Sequence, residues 1–524
     1  MKANSNLSRR EFHRKVGEGM LRAGLGASLV SNLGLSAVKG EEVAGGGKLL
    51  FGGLEPLVGF MQDTPVDRLQ PLIVEKLNKR EVTLDQLLQA AALANARSFG
   101  GEDYVGMHTL MAMEPAHQMA RRLPSERRAL VVLKILYRNT AQIQKKGTKH
   151  ELDEVVPLHL PANHAGADLL RDAVHERDPK KAERIFAALA EASPEEAFND
   201  LMHVVEDDTE VHRIVFAHRS WEILDLAGME NAQAMLRQSL RYCLRREESS
   251  AKNAQTVRGV LPRLLDQYKL LDKKAGSRRA DDEWVDKFSQ GIFSAKPEDS
   301  AEAVAEALAD GIAPRDIGES IALATNQLVL RDAGRDAKQV RPGKPEGSVH
   351  GDSIGVHASD AAHAWRGIAE VSNHRNTMAC LILAGFQASR DRTRRGGKFL
   401  EWKPRPYDEH LAGIKETSGE ALLRGLDGAI REQNQAAACA LVHRFGARGG
   451  DAQQVIDVLL RHATRADGAL HAEKYFLTTT SDFAATRPAF RWRHLVGLAR
   501  VTASESGTTA AGYDEACELL KVGA

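Results

Sequence analysis

The strongest constraint on how this chain folds is a set of polar residues that recurs at fixed spacing. His203, Asp208, His212 and Arg241 return as His462, Asp467, His471 and Arg500, each 259 residues further on. The motif Asp103-x-Val105-Gly106-Met107-His108 returns 249 residues later as Asp352-x-Ile354-Gly355-Val356-His357. An apolar pattern over 82–94 returns over 312–324, an offset of 230. A repeated unit implies a fold assembled from copies of one block.

Each block reads as helical. The spacing predicts helix pairs over 109–123 and 129–142, and again over 358–371 and 377–389, parted by Pro124-Ser125-Glu126 and Ser372-Asn373-His374. Aromatic residues are only 5% of the chain, and Ala, Leu, Glu and Arg dominate the periodic stretches, which favours helix over strand. The expected fold class is all-α: two diverged copies of a multi-helix module, stacked as an α-solenoid or as a pseudo-twofold helical domain. The copies are expected at 50–250 and 292–507, with a bridging helix and linker at 251–291 and a C-terminal helix at 508–524. Two loops, 331–348 and 390–407, belong chiefly to the second copy, as lids over a site or as solvated connectors.

Charge excludes some partners. Lysine plus arginine (71) balances aspartate plus glutamate (71) without blocks of one sign, so neither nucleic acid nor an anionic membrane is implied. Stable membrane insertion is not expected, because no stretch is apolar for long enough. Cys243, Cys380, Cys439 and Cys517 lie far apart with no metal or haem spacing, which suits buried thiols.

Ser8-Arg9-Arg10-Glu11-Phe12, followed by a Gly- and Ala-rich apolar stretch, resembles a twin-arginine (Tat) signal peptide. The resemblance implies a signal at 1–37, a linker at 38–49, the Tat export machinery as a transient partner, and a periplasmic or secreted protein. It also implies export in the folded state, a route often taken when a cofactor is inserted first.

The candidate site follows from the recurrence. His108, His212, His357 and His471 are expected as acid-base groups or ligands, oriented by Asp103, Asp208, Asp352 and Asp467. His203, His212, His462 and His471 form an alternative metal set, since imidazole and carboxylate suit transition metals. Several of these residues also have a structural reading. Asp208 and Asp467 precede helical runs and suit N-caps, and His203 and His462 suit helix C-termini. His212 and His471 then fall in a first turn, where the dipole keeps an imidazole neutral. The six-residue spacing of His212/His218 and His357/His363 turns the rings about 120° apart on a helix, which excludes a zinc-protease arrangement. Gly351-x-Ser353-x-Gly355 follows a polar loop rather than a strand, so it does not read as a nucleophile elbow.

The stretch Val356-His357-Ala358-Ser359-Asp360-Ala361-Ala362-His363-Ala364-Trp365-Arg366, and more faintly 211–219, resembles the histidine-bearing helix of questin oxidase-like proteins. The match covers one helix per copy, with the histidines one residue closer than in the family pattern. It implies an oxidoreductase acting on a small organic or aromatic substrate in a cavity between the copies, with NADPH as reductant. The residues themselves leave open a metal or cofactor site and metal-free catalysis. They equally fit a non-catalytic α-helical binding or scaffold protein whose histidines tie helix ends.

Overall fold

In the computed structural model, residues 47–161, 165–394 and 398–523 are described. The twin-arginine segment lies outside them. Among the described residues there are 23 α-helices and no strands, only isolated bridges such as Lys48 with Asp153. No helix among them is long and apolar enough to cross a membrane. The four cysteines are buried free thiols.

Local signals set the helix ends. Thr83 and Gln86 close a capping box on Leu84–Phe99, which stops at Gly100 in the left-handed region (φ 52°). Asp103 accepts from Gly106 N at 2.7 Å and caps the next helix, Tyr104–Arg122. The matching helix, Ile354–Val371, starts one position later in its motif. Ser353 is its cap, and Asp352 is released to pair with Arg335 and Lys344.

Gly106 and Gly355 explain the glycine of the motif. A Cβ on Gly106 would stand 2.5 Å from Phe99, and one on Gly355 2.6 Å from Val329 N, so each helix crosses its predecessor at contact distance. Four helices then meet in a closed ring. Tyr104–Arg122 packs on Val211–Glu222 and on His471–Ala485, and Ile354–Val371 packs on the same two. Met107, Met111, Ala112, Ala361, Ala364 and Phe476 on these helices are buried.

Two expected boundaries fall inside elements. Ala232–Gln267 is a single helix running through position 250, and the next helix, Asp282–Ser294, begins before 292. The C-terminal helix, Tyr513–Leu520, packs against Val66–Asn78 and Arg128–Lys146. Loop 332–353 folds inward: Val349 N donates to Ser504 Oγ, and Gly351 N donates to Glu505 Oε1.

Candidate functional site: a ring of four imidazoles

Each of the four central helices contributes one histidine to the junction. Ring centroids are 4.9 Å apart for His108–His212, 5.7 Å for His212–His357, 5.2 Å for His357–His471 and 5.4 Å for His471–His108. The circuit closes, two histidines coming from each stretch of the recurring pattern. Tyr104 sits at its rim, 60% exposed, with its ring 4.2 Å from His108 and 5.7 Å from His212.

Two of the rings are fixed in tautomer by what they touch. His108 Nδ1 lies 2.8 Å from the Tyr104 carbonyl oxygen, and His212 Nδ1 lies 2.7 Å from Glu210 Oε1. Both partners only accept, so Nδ1 carries the hydrogen and, in a neutral ring, Nε2 keeps its lone pair. Glu210 is itself held by Arg213 N and the Tyr242 hydroxyl. Burial alone would raise its pKa, but the hydrogen bond and charge of His212 bring it down to about 2. His108 Nε2, His212 Nε2, His357 Nε2 and His471 Nδ1 are all buried, and no protein group hydrogen-bonds them. Leaving such a group without a partner costs about 1–3 kcal/mol.

Burial pushes the pKa of His108 and His471 far down and that of His357 to about 3, helped by Lys474 and the neighbouring imidazoles. These three rings are neutral at pH 7. Beneath them is a buried polar floor. Lys474 is pushed down to about 8 and Glu505 up to about 8, both chiefly by burial. Buried Glu473 pairs with Lys134. Gly351 lies against this floor, and a Cβ there would stand 2.0 Å from the His471 Cβ.

The expected carboxylates do not orient the rings. Asp103 caps its helix and accepts from Gln142. Asp352 is drawn into its pair with Arg335 and Lys344; burial would raise its pKa, but those two cations bring it to about 2. Asp467 pairs with Arg138 at 2.5 Å and accepts no capping bond, because the chain makes a 3-10 turn, Gly468–Leu470, before His471 opens its helix. Asp208 is buried 3.9 Å from Arg390, while the cap of the His212 helix is Glu210. The residue two before His212 therefore does the work expected of the residue four before it.

The alternative metal set divides. His212 and His471 belong to the ring, whereas His462 Nε2 engages Asp427 at 2.9 Å. His203 is pushed down to about 4 by burial and by the charges of Arg375 and Arg171. Glu210, Lys474, Glu505 and Tyr104 were not expected from sequence. Only Glu210 left a signal, an acidic residue directly before an apolar helical run. No family model matches the chain, and neither a curated protein nor a solved structure resembles it at a significant level.

Proposed function

We propose that the protein is a metal-dependent oxidoreductase whose first-row transition metal is held by His108, His212, His357 and His471. The carrying observation is the set of four buried, unpartnered imidazole nitrogens on one closed ring. A metal–nitrogen bond of about 2.0–2.1 Å puts each ring centroid about 3.2 Å from the ion, and tetrahedral ligation then separates centroids by about 5.2 Å. The four neighbouring pairs of the circuit, at 4.9–5.7 Å, bracket that value, and tetrahedral ligation would bring the two cross pairs, His108–His357 and His212–His471, to it as well. The rings must still turn inward, since the ligand atoms already gathered within 4.8 Å of one another belong to other residues. Four imidazoles suit copper, iron, nickel or zinc. Lys474 and Glu505, both with pKa near 8, supply charge compensation by releasing protons when the cation enters.

Duplication is the second part of the reading. Exchanging His108 with His357 and His212 with His471 turns every ring contact into another ring contact. The helix contacts follow the same exchange, with Tyr104–Arg122 on Arg128–Lys146 corresponding to Ile354–Val371 on His374–Thr393. Arg241 donates to the Gly100 carbonyl and Arg500 to the Val329 carbonyl, each at the end of the corresponding helix. Helix Glu55–Asp63 packs on Leu84–Phe99 as Asp282–Ser294 packs on Pro314–Arg331, which moves the start of the second copy from 292 to about 282. The centre thus lies on a pseudo-twofold axis. The questin oxidase-like resemblance makes oxidation of a small organic substrate, entering past Tyr104, the reaction class to assay. Export through the twin-arginine route, after metal insertion, accords with this reading.

The test is metal analysis and an optical spectrum of the full chain purified without chelators. One equivalent of metal is expected at the ring, lost in His212→Ala and His471→Ala variants. Unchanged metal content and spectrum in both would contradict the proposal.

A further inference from the structure

The helices Val211–Glu222 and Ile354–Val371 meet at two levels. Their first histidines belong to the ring. Six residues on, about 9 Å along the axis, His218 and His363 face each other with centroids 5.7 Å apart and planes at 80°. Glu222, one turn beyond His218, brings Oε2 to 3.6 Å from His218 Nδ1. One ligand atom from each of His218, Glu222 and His363 lies within 4.8 Å of the other two.

The surroundings orient this group. Asp482 Oδ1 stands 3.3 Å from His363 Nδ1, so the carboxylate takes that hydrogen and Nε2 is left as the lone pair. Arg366 holds Asp482 at 2.9 Å, and Arg219 holds Glu222 at 2.5 Å. A Cβ on Gly367 would stand 2.0 Å from His218 Nε2. That edge of the ring is therefore packed on backbone, and Nδ1 is the edge turned to Glu222. Histidine backed by carboxylate is the arrangement that raises ligand basicity at metal sites.

We propose that His218, Glu222 and His363 form a second metal site, a two-histidine, one-carboxylate set for a divalent transition ion such as Zn²⁺ or Fe²⁺, with Asp482 as positioning residue. Three protein ligands leave coordination positions for water or a small ligand. Arg366, which pairs with Asp482, also lines a cleft of about 520 Å³ together with Gly318, Glu319 and Thr377. The site does not depend on the ring.

Titration of the metal-free full chain with Co²⁺, followed by visible absorption and bound stoichiometry, tests it. A Co²⁺ equivalent is expected that His363→Ala abolishes, that Glu222→Gln weakens more than about 10-fold, and that Asp482→Asn weakens about 10–100-fold. His108→Ala should leave this equivalent unchanged. If it is the only one bound, the second site stands and the ring proposal falls. Co²⁺ binding that is identical in wild type, Glu222→Gln and Asp482→Asn overturns the second site and leaves an ion-pair network. So does a wild type that binds only equivalents removed by His108→Ala. Because Glu222→Gln and Asp482→Asn keep size and polarity, they carry the test if His363→Ala fails to fold.

Discussion

The ring of four imidazoles and the His218–Glu222–His363 cluster sit on neighbouring levels of the same helix junction, yet they relate differently to the recurring sequence pattern. In the ring each half contributes the same two histidines. The cluster has no counterpart: at the matching offsets, Glu114 stands for His363 and Leu477 for His218. Instead, Glu114 and Asp85 flank His117 there, at 3.4 and 3.2 Å. On the duplication we propose, a feature shared by both copies belongs to the ancestral block and to the axis on which the copies meet. On the same proposal, a feature on one side arose later, where one cross-packed helix pair was free to diverge.

The largest expected effect tests that contrast. His108→Ala and His357→Ala are exchange-related, so each should lower affinity for the ring metal by at least about 100-fold, and by similar factors. Isothermal titration with both variants measures this; a severe loss from one and none from the other would break the symmetry. Glu114→Ala should leave both metal equivalents in place.

The arginine pair sharpens the comparison through stability. Arg500 is fully buried and donates to the Val329 and Asp332 carbonyls, so Arg500→Ala should cost about 3 kcal/mol. Arg241 is more exposed and shared among Glu102, Glu151 and Glu183. Its loss should cost about 1–2 kcal/mol after allowance for solvent screening. Denaturant midpoints at constant slope would report the two values.

Acid should act through the ring. His357 is held at about 3, and His108 and His471 also far below the ordinary value near 6.5. Between these limits the unfolded chain binds protons that the folded chain refuses. Stability is therefore full above about pH 6.5 and falls as pH drops toward 3. Metal-free protein should show this slope in thermal melts, and His357→Asn should flatten it. The smallest effect is expected from Glu210→Gln, which keeps an acceptor near His212 Nδ1 but removes the charge. About a 10-fold loss of metal affinity is predicted.

Much of the ring was legible in the sequence, because the recurring motifs carry His108 onto His357, 249 residues on, and His212 onto His471, 259 residues on. What orients the rings was not legible. Asp208 and Asp467 look like caps from spacing alone, but a cap depends on where the first helical turn closes: before His212 the chain runs on without a turn to Glu210, and before His471 it makes a 3-10 turn. The floor formed by Lys474 and Glu505 brings together residues from different helices, with no local pattern to reveal it. Meeting of the halves at a shared centre depended on packing between distant helices, which periodicity cannot encode.

The central claim is that both halves hold one ion. Anomalous diffraction at the absorption edge of the bound metal, from crystals of metal-loaded full chain, locates it directly. A peak about 2.0–2.1 Å from a nitrogen of each of His108, His212, His357 and His471 is the predicted result. Density confined to sites away from those four rings would contradict it.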